Sequence, residues 1–219
     1  MELALVALLG GVLALDGTSV GQFMLSRPVV AGALTGWMLG DPALGLLIGT
    51  LLELYLLVSF PSGGARFPEG TTATVVAVAT AVASDTAGAL PIAIAVGLLW
   101  GQVGGFSITA LRKANGFIVP EPADSRADSA RVATAHLGAV GLDFLRGALI
   151  TGTGVAIGRM LVARVGASWP LGQPESLALI LVGAAVSVGI LLHDLGGFRH
   201  RRVLFAAGFA LGIVGVRFL

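Results

Sequence analysis

The chain has 219 residues, 56% of them hydrophobic and only 11% charged, with a formal net charge of +1 and a mean hydropathy of +0.95. Soluble domains carry about 25% charged residues, so this composition cannot cover a water-facing surface and is that of an integral membrane protein. No basic stripe with interleaved aromatics points to a nucleic-acid partner, and the absence of cysteine excludes disulfides, cysteine-ligated metal and thiol catalysis.

The N-terminal stretch MELALVALLGGVLALDG opens with Glu2 and has no basic region, so it is not read as a cleaved signal. The first eighty residues then break into short apolar pieces. Residues 3–15 end at Asp16-Gly17-Thr18-Ser19, and residues 28–40 are bounded by Arg27 and Asp41. Residues 42–52 end at Glu53, and residues 70–84 follow a Pro/Gly loop, VSFPSGGARFPEG. Pieces of about 11–15 residues fall short of the ~20 that a spanning helix needs. Pro28 and Pro42 sit where a helix can begin, Asp41 is a good N-cap, and Asp16 is expected to cap a re-entrant turn.

Bare backbone cannot face lipid, so helices broken at membrane depth must be buried in protein or line a wet cavity. Short Gly/Pro-interrupted segments of this kind point to a transporter's binding site; the alternative is a set of ordinary helices ending in surface loops.

The later part reads differently. Residues 89–111 form an uninterrupted uncharged run, and residues 147–158 (extended on both sides), 176–192 and 203–216 are further spanning candidates. Counting broken segments gives five to eight spans. The expected fold class is all-α, a polytopic membrane helix bundle with broken or re-entrant helices in its N-terminal third. Residues 1–84 form the broken-helix substrate-site region, and residues 85–219 the spanning-helix region, within one membrane domain. A polar stretch, EPADSRADSARVATAH, predicts a cytosolic loop near 112–135. Arg112, Lys113, Arg126, Arg131 and Arg146 group in this connection, and Arg199, Arg201 and Arg202 in another two spans later, placing both on the cytoplasmic side. Glycines recur every four residues at 32, 36 and 40, at 45 and 49, at 97, 101 and 105, at 154 and 158, and at 208 and 212, which predicts close helix packing.

Catalytic signatures are missing. No GxxxxGK[ST] occurs, and GTGVAIG at 152–158 has the wrong spacing for a dinucleotide turn. His136, His193 and His200 lie near expected helix ends and form no metal-ligand pattern. No cofactor, metal or catalytic residue is expected.

Glu53 stands out because a charge at membrane depth costs roughly 2.5–3.5 kcal/mol or more and generally faces a cavity or a partner. Gly49, one turn earlier, leaves open space beside it. Arg66 and Glu69 return charge to the same neighbourhood after the loop. Acids and amides grip sugar hydroxyls directionally, so a polar uncharged solute is a fitting occupant. The structural alternatives are a Glu53 that satisfies backbone at a helix break, a Glu69 that caps a helix, and an Arg27 that anchors to lipid phosphate.

The segment GQFMLSRPVVAGALTGWMLGDPALGLLIGTLLELYLLVSFPSGGARFPEGTTATVVA, residues 21–77, resembles the IIC subunit of the mannose/fructose/sorbose family of the bacterial phosphoenolpyruvate-dependent sugar phosphotransferase system (PTS). The shared features, in order, are Arg27-Pro28 opening a helix, Leu39-Gly40-Asp41 before the next, Gly49 with Glu53 within it, and Gly63-Gly64 with Pro68-Glu69 closing the loop. Beyond residue 77 the likeness thins to Trp100-Gly101-Gln102-Val103 and Phe144-Leu145-Arg146.

The resemblance implies a permease subunit in the bacterial inner membrane that pairs with a IID membrane subunit and passes a hexose inward. A cytosolic IIB protein, itself phosphorylated by IIA, would phosphorylate the sugar, and IIC–IID pairs would form an oligomer. It implies a substrate-binding set of Glu53, Glu69, Gln22 and Arg27; Ser62 and Arg66 of the loop are further candidates, the alternative for Arg66 being a pair with Glu69 or Glu53. Departures are Arg66 in a loop that tends to be apolar, Pro61 in place of a polar residue, and an end at Val216-Arg217-Phe218-Leu219 where longer members carry a further helix and charged tail. Two other readings stay open: a proton-coupled secondary transporter using Glu53 or Glu69, and a non-transporting structural or regulatory membrane subunit.

Overall fold

The computed structural model describes residues 1–57, 66–118, 129–194, 202–203, 206–208 and 210. The described residues are helical and contain no strand: α1 (Glu2–Thr18), α2 (Pro28–Leu39), α3 (Pro42–Leu56), α4 (Gly70–Ala81), α5 (Ala89–Ile118), α6 (Ser129–Val165) and α7 (Gln173–Asp194), with one 3-10 turn at Gly166–Ser168. Three helices among them, α5, α6 with its 3-10 extension and α7, are long and apolar enough to cross a membrane, whereas α2, α3 and α4 are short. Ser62 and its loop, residues 119–128 and most of the 203–216 span lie outside the described residues.

The short helix α4 is the central post. Every residue from Thr71 to Ala81 is buried, and α4 packs against α1, α2, α3, α5 and α6. Its sequence, GTTATVVAVATA, explains this placement: small and β-branched side chains on all sides suit a helix with no solvent face. Thr71, Thr72 and Thr74 give their hydroxyls to backbone carbonyls, as Thr74 does to Gly70 O at 2.7 Å, whereas the buried Thr80 hydroxyl has no partner among the described residues.

α2 and α3 form a tight antiparallel hairpin. Pro28 and Pro42 open the two helices, and the Asp41 carboxylate caps α3 by accepting from Leu44 N–H at 2.9 Å. Gly40 supplies the left-handed turn between them, at φ 88°. The glycine stripes expected to pack do pack on one another: a methyl placed on Gly36 would lie 2.5 Å from Asp41 O and 2.8 Å from Gly45 Cα. The two backbones therefore touch with no side-chain layer between them.

Three boundaries differ from the sequence expectation. α3 runs on to Leu56, past the apolar piece of residues 42–52, and Glu53 projects from within it, as its spacing from Gly49 predicts. α5 reaches Ile118 and α6 begins at Ser129, so much of the expected loop near 112–135 is helix. Arg146 lies in no connection. It falls near the midpoint of the 37-residue α6 with a side chain only 8% exposed, so it cannot report loop topology.

Replacing Gly45 by Val should force apart the α2 and α3 backbones, neither of which can yield locally, at a cost of about 3 kcal/mol. The expected outcome is a sharply lowered melting temperature in detergent; an unchanged melt would refute the backbone contact.

Candidate functional site

Four helix ends or edges converge beside Glu53. The C-terminal end of α1 contributes Gly17 and Thr18, the N-terminal end of α2 contributes Ser26 and Arg27, and the start of α4 contributes Glu69 and Thr71. With Phe67 and Ile108 they enclose a cavity of about 190 Å³. A wider cavity of about 530 Å³ shares Thr18, Ser26, Arg27 and Ile108 with it and continues past Gln22 to Arg112 and Asn115. A third, of about 400 Å³, shares Thr18, Ser19 and Asn115 and reaches His136. The adjoining spaces thus lead from Glu53 toward the end of α5 that carries Arg112 and Lys113.

Glu53 and Arg27 form an ion pair across the α2–α3 hairpin, with side chains 18% and 52% exposed. The second Glu53 oxygen accepts from Val29 N–H at 3.3 Å, so the carboxylate also sits at the positive end of α2. Partial exposure leaves both groups open to the cavity.

The turn joining α1 to α2 is held by Asp16, whose carboxylate accepts from Phe23 N–H at 2.6 Å and Ser26 N–H at 2.9 Å. Asp16 thus caps the turn that follows α1. The clamp holds a backbone strained at Gln22 and Met24, with φ of 56° and 68°, after Gly21 at 86°, which glycine adopts freely. It sets Gln22 at the wall of the wider cavity.

Glu69 does not cap α4 with its side chain. Its carboxylate meets the Arg146 guanidinium as a two-pronged pair at 2.9 and 3.0 Å and accepts from the Thr72 hydroxyl at 3.1 Å. Arg146 also donates to Asp143 at 2.9 Å and to Ser107 Oγ at 3.0 Å. Asp143, fully buried, accepts in addition from the hydroxyls of Thr18 and Ser19. The cluster therefore ties α1, α4, α5 and α6 at one point.

Before Glu69 the chain runs extended along α5. Glu69 N–H donates to Gly101 O at 2.8 Å, and the Phe67 carbonyl packs on Gly105. A methyl on Gly104 would lie 2.5 Å from both the Glu69 carboxylate and the Thr72 hydroxyl. The glycines of α5 thus form a groove that receives the extended segment and the acid together.

Of the expected substrate residues, Glu53, Arg27, Gln22 and Glu69 line the two connected cavities. Arg66 pairs with neither Glu53 nor Glu69; its guanidinium lies over the Phe106 ring, 4.0 Å from the centroid. Asp143 and the hydroxyls around it were not singled out from sequence, and Arg146 was read only as a loop cation and as part of the Phe144-Leu145-Arg146 likeness. The available signal was that Asp143 and Arg146 are the only charged residues between Arg131 and Arg159, three apart and opposite in sign.

A family model described as the PTS system sorbose-specific IIC component matches residues 1–214. The chain belongs to this family. It is accordingly a multi-pass component of the bacterial inner membrane. The PTS system sorbose-specific EIIC component of Klebsiella pneumoniae is 28% identical over 136 residues, covering 61% of this chain. That match spans 50%, about half, of the relative's length. Two solved structures share the fold of this IIC component. One, described as the structure of a membrane protein, has a TM-score of 0.73 at 18% identity, covering 99% of this chain and 92% of the other. The second is a cryo-EM structure of the mannose transporter ManYZ in complex with microcin E492, with a TM-score of 0.59 at 19% identity, covering 99% and 90%.

Arg146→Met should leave Glu69 and Asp143 buried without their cation and cost about 3–5 kcal/mol. The triple variant Arg146→Met, Glu69→Gln, Asp143→Asn should recover much of that loss. Melting temperature in detergent measures both, and a single variant as stable as the triple would remove the cluster's structural role.

Proposed function

We propose that this IIC component is the sugar-translocating membrane subunit of a phosphotransferase system and carries a hexose inward through the Glu53 cavity. The observation that carries this reading is the partly exposed Glu53–Arg27 pair at a junction of broken helix ends, opening through adjoining cavities toward the basic end of α5. Basic residues mark the cytoplasmic side, so the path leads inward.

In this reading the Glu53 carboxylate accepts hydrogen bonds from sugar hydroxyls, and Arg27 donates to sugar oxygens. The hydroxyls of Thr18, Ser26 and Thr71 line the same walls, and Gln22 stands where the small cavity opens into the larger one. Glu69 has both oxygens engaged by Arg146 and Thr72, so its part is to fix the start of α4 rather than to grip the sugar. Transport chemistry requires no nucleophile here. Phosphorylation of the sugar falls to a separate IIB protein charged by IIA, and a IID membrane subunit completes the permease.

Glu53→Gln keeps the shape of the site but removes the charge that strengthens its hydrogen bonds, a loss of roughly 1.5–3 kcal/mol. Hexose uptake in cells carrying the whole system should fall about ten- to a hundredfold in apparent affinity, with unchanged protein in the membrane fraction. Wild-type uptake by the variant would take Glu53 out of the site. Uptake that ceases when the proton gradient alone is dissipated, and ignores phosphoenolpyruvate supply, would instead establish a proton-coupled transporter.

A further inference from the structure

Helix α5 exposes a face that lipid cannot satisfy. Gln102 is exposed, on the same side as Leu99 and Phe106, which are 69% and 54% exposed. Its amide makes no hydrogen bond among the described residues. At about 1.5 Å per residue, Gln102 lies about 13 Å along the helix from Leu111, where the uncharged run ends. That is close to the middle of a ~30 Å hydrocarbon core, too deep for so short a side chain to reach the headgroups. One turn further on, Arg66 is exposed and lies over the Phe106 ring, 4.0 Å from its centroid. Phe106 lies about 7 Å inside the end of the same run.

An amide at that depth needs acceptors and hydrocarbon offers none, and the guanidinium held over the ring beside it stays open to a carboxylate. No acidic residue lies on this face of α5. A second copy packed through the same face would bring Arg66 no carboxylate, because that face has none. The covering surface must therefore carry the opposite charge.

We infer that the Leu99–Gln102–Phe106 face of α5, with Arg66 at its edge, docks a different membrane chain that presents a carboxylate to Arg66 and an amide or hydroxyl to Gln102. Resting on the function proposed above, that chain is the second membrane subunit of the permease. Arg66, a candidate substrate residue from the sequence, is thereby assigned to the interface.

The test uses the full chain expressed with its neighbouring membrane subunit, with a photoreactive residue placed at 102 and, as control, at the exposed Val182 of α7. Irradiation in intact membranes should join position 102 to the second subunit, at a carboxylate- or amide-bearing helix identified by mass spectrometry, with no such adduct from 182. Arg66→Glu should reduce co-purification of the subunit at least about tenfold, and an acid-to-arginine change at the cross-linked site should restore it. An adduct at twice the 22.0 kDa of this chain would overturn the inference in favour of a second copy. Cross-links to lipid alone, with the subunits still associated, would overturn it while leaving the transport reading intact. A second subunit that never associates would instead remove that reading itself.

Discussion

A guanidinium in the middle of a membrane helix must be surrounded by acceptors, and Arg146 meets that demand with two acids and a hydroxyl from α4, α5 and α6. Because its cost in hydrocarbon is large, the positions of its partners are not free to drift. Glu69 is drawn to α6, which fixes where α4 begins. Asp143 is drawn toward Thr18 and Ser19, which fixes where α1 stops. The cavity beside Glu53 exists because these two ends are held at that distance.

The rest of the site follows from keeping backbone satisfied away from water. A twelve-residue central helix leaves an extended segment before it, and that segment survives at membrane depth by lying on the glycines of α5 and bonding Gly101 O. Strain at Gln22 and Met24 is held by the two backbone bonds to Asp16. Ion pair, groove and clamped turn each occupy one side of the same opening, so the polar wall facing a solute is built from structural necessities.

The sequence made the local chemistry legible. Proline at the helix starts, Asp41 as a cap, the short apolar pieces and the paired glycine stripes each act within a few residues, and the structure shows each of them. What depended on distant partners was not legible. Arg146 looked like a loop cation because Glu69, the acid that grips it with both oxygens, lies 77 residues away in the chain. Glu53 was legible as a carboxylate sharing a helix face with Gly49, but its ion pair with Arg27 across the hairpin was not. α5 and α6 outrun the apolar pattern because their polar ends extend past the hydrocarbon, where hydropathy no longer marks helix.

The glycine-to-glycine contact between α2 and α3 has a mechanical corollary. Helices that meet through side chains can slide by repacking those side chains, whereas two bare backbones in contact can only travel as a single plate. Arg27 and Glu53 ride on the two halves of that plate, so their bond is internal to it and is not a latch between moving bodies. Any opening of the cavity toward the other side of the membrane must then occur along the seam between this plate and the central post.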